Sequence, residues 1–298
     1  MAHIFTLTAI RMRLALRNKA FFFFSVVMPL LFLFFFAGVF GRGSSERTAY
    51  TLSQVLSLTV MGSFWGLSVQ LVTYREQGIL RRFRLAPVTS LEMLLSSVIS
   101  NYILVLPTIV VEFLLARWVF HMQEWGNLAG AFVLVSLGAM TFSALGLIVA
   151  SVTNNMQETQ VICNVVWFAF LFLSGVTVPL PILPRFMQTL AFFLPPTYLV
   201  KGLVDVLVMK TSIAQEAMEI VALLICAVFG LAISHQLFRW EPEERLPGRA
   251  KAWAAAAMVP FLLLGMWEIT FGGQRAESMR SFPGQGQPSA PAPQRPPD

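Results

Sequence analysis

The sequence predicts an all-α integral membrane protein, and three observations carry that reading. Apolar residues make up 56% of the 298 and charged residues only 12%, far from the usage of a soluble domain. The apolar residues form continuous runs, long enough for helices that cross hydrocarbon, which needs roughly 20 residues each. Those runs do not alternate in polarity, so a barrel of strands is disfavoured and a helical bundle remains.

The first 19 residues read as an N-terminal interfacial helix. Ile4, Leu7, Ile10 and Leu14 recur at helical spacing, and Arg11, Arg13, Arg17 and Lys19 are placed to reach phosphate headgroups. The basic stretch is too long, and the apolar run behind it lacks the small-residue cleavage site, for a cleavable signal peptide. Spans follow at 20–41, 52–74, 92–120, 128–152, 161–178 and 217–238, with a weaker seventh at 250–271. A domain of 20–240 thus precedes an additional hydrophobic segment at 241–272. The tail of 273–298, rich in Pro, Gly, Gln and Ser, carries too little apolar surface to offset the entropy of ordering and is expected to be disordered.

Charge sets the direction of the spans. Arg11, Arg13, Arg17 and Lys19 precede the first span, Arg75, Arg81, Arg82 and Arg84 follow the second, and Arg239, Arg245, Arg249 and Lys251 follow the sixth. The positive-inside rule puts all three clusters in the cytoplasm. The same rule accounts for the net charge of +6 without nucleic acid as a partner. Cys163 and Cys226 lie inside apolar runs, and His3, His121 and His235 are isolated, so neither a disulfide framework nor a metal site is indicated.

Two segments break the pattern of plain spans. From Tyr74 to Glu92 the chain is too rich in arginine to lie in hydrocarbon, so it belongs at the cytoplasmic surface. Within it Ile79, Leu80 and Phe83 form an apolar stripe beside a basic face. Pro87 stops the helix, and Thr89 or Ser90 is placed to cap the next one, with Glu92 in its first turn. Read from residues alone, this is either a docking helix or a loop held to anionic lipid. From Phe172 to Tyr198, five prolines (Pro179, Pro181, Pro184, Pro195 and Pro196) cut an apolar stretch into pieces too short to cross. A re-entrant hairpin on the outer face is expected, since a plain external loop would hold Phe186, Met187, Leu190, Phe192 and Phe193 in water.

The run Arg-Glu-x-Gly-x-Leu-Arg-Arg-Phe-x-x-x-Pro after a second span resembles the cytoplasmic coupling helix of type 2 ATP-binding-cassette (ABC) exporter permeases, with Ala86 where that family often has Ser or Thr. Leu-Ser-Gly-x-x-x-Pro, then Leu-Pro and Leu-Pro-x-Thr-Tyr, is similar to the family's re-entrant segment. The resemblance covers roughly residues 1–240. It implies a six-helix bundle with a coupling helix at about 75–90, made of Glu76, Gly78, Ile79, Leu80, Arg81, Arg82, Phe83 and Pro87, that docks on a separate ABC ATPase subunit. It also implies a gate at about 179–197, with Gly175, Pro179, Pro184, Pro195, Pro196 and Tyr198, and a second permease copy, identical or related. ATP and Mg would sit on the partner ATPase, and the location would be a bacterial inner membrane. The seventh segment departs from the six-helix pattern.

No Gly-x-x-x-x-Gly-Lys-Ser/Thr phosphate cradle is present, so energy is expected from the partner. Glu112 is the one carboxylate well inside a strong span: either a pathway residue, or one near the outer end hydrated or helped by Arg117. Asn101, Asn164 and Gln70 either line a pathway or bond between helices. A secondary transporter or channel, a membrane enzyme and a non-transporting assembly factor are the competing classes. The first lacks a route of buried charges, and the second lacks a nucleophile with its base. Drugs, lipids and lipid-linked glycans all suit an apolar lining, moved outward.

Overall fold

The computed structural model describes residues 2–17, 23, 27–40, 45–84, 88–122, 125–241, 253, 256 and 259–271. Among them the elements are α1 (Ala2–Arg17), α2 (Met28–Phe40), α3 (Ser45–Glu76), α4 (Ile79–Arg84), α5 (Ser90–Trp118), α6 (Leu128–Val152), α7 (Met156–Leu173), a 3-10 turn (Leu180–Ile182), α8 (Arg185–Ala191), α9 (Pro195–Leu207), α10 (Ala217–Leu237) and α11 (Val259–Phe271). Five of these, α3, α5, α6, α7 and α10, are long and apolar enough to cross a membrane. The predicted tail lies outside the described residues.

Local signals explain where the helices begin and end. Thr89 starts α5 with a reciprocal capping box: its hydroxyl accepts from the Glu92 amide, and the Glu92 carboxylate accepts from the Thr89 amide. Asn127 caps α6 through the Gly130 amide, and Asn155 caps α7 through the Glu158 amide. That last cap corrects the fifth span. The helix starts at Met156 rather than Val161, because hydropathy discounts the polar turn Gln157–Gln160 that Asn155 and Glu158 hold helical.

The core is built around α6, which packs against α3, α10, α9 and α5. In lipid the hydrophobic effect does not drive helices together, so close backbone approach and interhelical hydrogen bonds must do so. A Cβ on Gly146 would stand 2.3 Å from the Phe64 carbonyl oxygen, so only glycine lets α6 meet α3 there. Ser68 clips the crossing by donating to Gly146 O at 2.8 Å. Thr141 donates to Leu223 O at 2.8 Å across to α10, and Asn101 donates to Ser143 at 3.0 Å across from α5. Around these contacts lies a buried core that includes Leu56, Val60, Phe64, Leu134, Phe142, Leu199 and Leu203.

Tertiary contacts decide how the proline-rich segment runs. Helices α8 and α9 meet at 92°, a geometry open to either a broken span or a re-entrant loop. Arg239, just past α10, donates to Thr153 O at the end of α6 at 2.6 Å, so α6 and α10 finish on the same face. With α7 between them returning to the other face, the segment from Leu173 to Ala217 must begin and end on one side. It is therefore re-entrant. Its second limb rises along α6: Leu199 lies against Gly138, Leu134 against Gly202, and Val206 against Gly130.

The arginine clusters also gather at one end. Arg75 and Arg239 both reach Thr153 O, and the Arg11 guanidinium lies 5.5 Å from the Tyr74 ring centroid. The structure corrects the role of Arg11, which is buried rather than turned to headgroups, while Phe5, Ile10 and Arg13 are among the exposed residues of α1. Burial pulls its guanidinium down to about 10, with Tyr74 acting in the opposite direction, so it stays cationic at neutral pH. Of the first span, Met28–Phe40 is described as helix, and of the remainder only Phe23 and Val27 are described. Of the seventh span, Trp253 and Ala256 are described beside the 13 residues of α11, which make about 20 Å of helix against roughly 30 Å of hydrocarbon. Leu264 of α11 packs with Tyr198, Ala222 and Cys226.

Two outcomes follow. Gly146→Val should destabilise the bundle by about 1–3 kcal/mol or more, because backbone cannot yield as a side chain can. Gly66→Ala, with nothing within 4 Å of the added methyl, should be neutral; thermal unfolding in detergent compares the two. In intact cells an impermeant maleimide should label Ser212→Cys but not Gln77→Cys, both exposed positions, and the reverse pattern would invert the topology.

Candidate functional site

The cytoplasmic end is organised by the residues on either side of Gly78. Helix α3 runs 32 residues, about 48 Å, so its last turns project beyond the hydrocarbon. It stops where Gly78 takes a positive φ of 67°, a conformation that glycine adopts without Cβ strain, and α4 then departs in a new direction.

Three side chains tie this corner to the turn between α6 and α7. Arg75, 1% exposed, donates to Ala150 O at 3.0 Å and to Thr153 O at 2.5 Å. Arg239, 4% exposed, donates to the same Thr153 O and to Asn154 Oδ1 at 3.0 Å. The last carbonyls of a helix carry partial negative charge and lack intrahelical partners, so two guanidinium groups there satisfy both needs. Glu76 accepts from the Met156 amide at 2.8 Å, capping the first turn of α7 from outside. The root of α4 is thus joined to the base of α7.

The apolar stripe of α4 points inward, which corrects its expected role. Leu80 is 0% exposed and packs with Leu67, Leu71, Met93, Leu94 and Leu147; Phe83 packs against the same cluster, and Ile79 is half-buried. Leu80 therefore cannot seat in a partner's groove in this arrangement. The exposed residues are Glu76, Gln77, Arg81 and Arg82. Arg81 forms a salt bridge of 3.6 Å to Glu241, which braces α4 against the residues past α10, and Ser90 at the start of α5 bonds His235 of α10 at 3.0 Å. Pro87 and the side chain of Arg84 lie outside the described residues.

At the outer end each predicted proline marks the start of a short helix. Pro179 precedes the 3-10 turn, Pro184 precedes α8, and Pro195 and Pro196 occupy the first turn of α9. Gly175 ends α7 with a φ of 86°, against Leu180. Tyr198 is buried and donates to Phe192 O at 2.8 Å, while Thr197 donates to Ala191 O at 2.7 Å, so the bend is pinned by its own side chains.

The membrane polar residues separate into two groups. Glu112 is fully buried in the seam between α3 and α5, where it accepts from Thr59; it lies on no open surface. Arg117 donates instead to Met122 O at 3.1 Å. Asn101 bonds between helices, and Gln70 donates to Tyr74 on its own helix at 3.2 Å. Asn164 differs. It lies on α7, where only Thr159, Cys163 and Phe170 are buried, and it continues an exposed stripe of Gln157, Gln160, Asn164, Phe168 and Phe172. Sequence reasoning missed this stripe because hydropathy averages over all sides of a helix; the spacing of 157, 160, 164, 168 and 172 was the available signal.

Multiple apolar helices, a braced cytoplasmic corner and a re-entrant outer segment are those of a multi-pass membrane protein, and the family match makes it a transport subunit of the plasma membrane. The chain belongs to the ABC-2 type transporter family, whose model matches residues 2–208. Among curated proteins, a transport permease of Bacillus subtilis (strain 168), YvfS, is 28% identical over 199 residues, 64% of this chain and 80% of that protein. The linearmycin resistance permease protein LnrN of the same organism is 29% identical over 150 residues, 50% of this chain and 39% of that one. No solved structure matches the chain.

The clamp predicts an asymmetry among arginines. Arg75→Ala leaves Ala150 O and half the Thr153 bonding unmet and should lower stability by about 2–3 kcal/mol. Arg82→Ala, on the open face, should shift it by less than about 0.5 kcal/mol. Equal losses in chemical unfolding would mean the clamp contributes nothing.

Proposed function

We propose that this chain is the permease of an ATP-driven exporter, working beside a second permease copy and with separate ABC ATPase subunits that hold ATP and Mg. The observation that carries this reading is the open face of α7. Amide side chains turned to hydrocarbon lose hydrogen bonds to water without replacement, so Gln157, Gln160 and Asn164 favour a surface covered by protein or water. A second permease set against α7 would supply that cover. The stripe would then line a pathway that is polar toward the cytoplasm and aromatic, at Phe168 and Phe172, toward the outside. Such a lining suits an amphipathic substrate: a drug, a lipid or a lipid-linked glycan. The name of one relative, which refers to linearmycin resistance, agrees with outward movement.

Coupling follows from the corner at Gly78. The ATPase would meet the exposed edge made by Gln77 in the turn and by Arg81 and Arg82 of α4, while Leu80 and Phe83 hold α4 to the bundle. Displacement of α4 would pass through Arg75 and Glu76 to the base of α7, the helix that faces the pathway. A loop held only to lipid would not need Glu76 on the Met156 amide.

The test is co-purification of the cognate ATPase with permease variants inserted at equal levels. Arg81→Glu with Arg82→Glu should cut ATPase recovery at least about tenfold, as charge reversal at a contact edge costs upward of 1.4 kcal/mol. Asn164→Leu should keep ATPase recovery and lower transport in reconstituted vesicles. Full ATPase recovery with the reversed pair would remove α4 as the docking edge, and unchanged transport in Asn164→Leu would remove α7 from the pathway.

A further inference from the structure

A cluster of ionisable side chains lies where α9, α10 and the loop between them meet, at the end of the bundle opposite the arginine clusters. Lys201 Nζ donates to Asp205 Oδ2 at 2.6 Å and to Glu219 Oε1 at 3.0 Å, linking the re-entrant limb to α10. Glu216, the residue before α10, accepts from Thr211 at 2.9 Å through Oε1. Its other oxygen, Oε2, is buried with no hydrogen-bond partner, and the residue is 3% exposed. Two carboxyls thus share one ammonium, and the Lys201 charge also acts on the third, Glu216, without a hydrogen bond to it. Asn127, at the start of α6, contributes a neutral contact by donating to Thr211 O at 3.4 Å.

Other charged groups on the surrounding elements are few. The loop carries Lys210, exposed; α3 carries Arg47 at its outer end, also exposed; and α11, which packs on α10, carries Glu268. Within the cluster the balance is one positive charge to three negative when every carboxyl is ionised. A buried carboxylate oxygen in that field is stabilised by a cation or a proton. A metal ion fits poorly, because among the described residues no group of three or more His, Cys, Asp or Glu side chains is placed to hold one.

We infer that Lys201, Asp205, Glu216 and Glu219 form a proton-binding site facing the exterior, whose occupant sets how firmly the re-entrant helix α9 is held against α10. With the proton on Glu216, the cluster carries one unbalanced negative charge, and the Lys201 bridges to Asp205 and Glu219 close the seam. Without it, Glu216 repels Asp205 and Glu219, and α9 loosens at the outer end of the bundle. The balance is simple: one proton is taken from external water and returned to it, and no other bond changes. Burial first, then the nearby Asp205 and Glu219, push the Glu216 carboxyl up to about 7 against the opposing pulls of Thr211 and Lys201.

The sign follows from a native affinity for the proton above that of the unfolded chain. The stabilisation is whole below about pH 4.5 and lost as the pH rises through about 7. Neither ATPase nor substrate enters the test, so its outcome is independent of the exporter reading. Purified permease in nanodiscs is examined by infrared difference spectroscopy and thermal unfolding between pH 5 and pH 8. The wild type should show a protonated-carboxyl band that disappears with a midpoint near neutrality, and a Tm that falls over the same range. Glu216→Gln, which keeps an acceptor for Thr211, should lose that band and flatten the fall in Tm. Asp205→Asn, which leaves Glu216 in place, should move the midpoint to lower pH. A band and a Tm slope that survive unchanged in Glu216→Gln would overturn the site. So would an unmoved midpoint in a folded Asp205→Asn protein.

Discussion

The carbonyl of Thr153 is the point on which the cytoplasmic end of this protein depends. A membrane helix that ends at the interface leaves its last carbonyls without intrahelical donors, and here the end of α6 is covered by other helices rather than by water. Arg75 arrives from α3 and Arg239 from beyond α10, and both donate to that oxygen. Two helices far apart in sequence are thereby fixed to a third. Because Arg75 immediately precedes Glu76, and Glu76 caps α7, the same junction reaches the least covered of the five described spans.

The bundle above this junction is held by small residues rather than by large ones. Gly146 and Ser68 bring α6 and α3 to backbone contact, and Gly130, Gly138 and Gly202 let α9 lie along the outer half of α6. Phe64 and Phe142 then close on Phe170 of α7, and this ring contact, with Cys163, anchors a helix that is otherwise little covered. A helix attached along one narrow line can tilt without dismantling the core. That arrangement suits a moving wall, with α6 and α3 as the fixed frame.

The outer half solves a different problem. A segment that enters the membrane and returns must satisfy its backbone at the bend, where no helix runs. Thr197 and Tyr198 do this by donating to Ala191 O and Phe192 O, within six residues of each other in sequence. The bend is therefore self-contained, and the contacts that hold α9 to its neighbours are free to be polar and adjustable. Lys201 with Asp205 and Glu219 supplies such a contact.

Continuous apolar runs determined the helical membrane class, since only a helix satisfies its backbone locally in lipid, and arginine placement determined which ends lie together. Thr89 with Glu92 and the five prolines announced helix starts by local chemistry alone, and Gly78 announced the corner. Facing was not legible. The apolar spacing of Ile79, Leu80 and Phe83 describes a stripe that could meet a partner or the protein's own core, and burial of Leu80 against Leu71 and Leu94 settles it. Nor could sequence rank Glu112, Asn101 and Asn164, equivalent as polar residues in apolar runs. Their roles differ because Thr59 and Ser143 lie opposite the first two, while Asn164 looks outward from α7. The bond from Arg239 to Thr153 likewise decided that the proline segment returns to its own side. Patterns along the chain record what each residue is, whereas a site depends on what stands across from it, and only the packing of α3, α5, α6 and α10 brings those partners together.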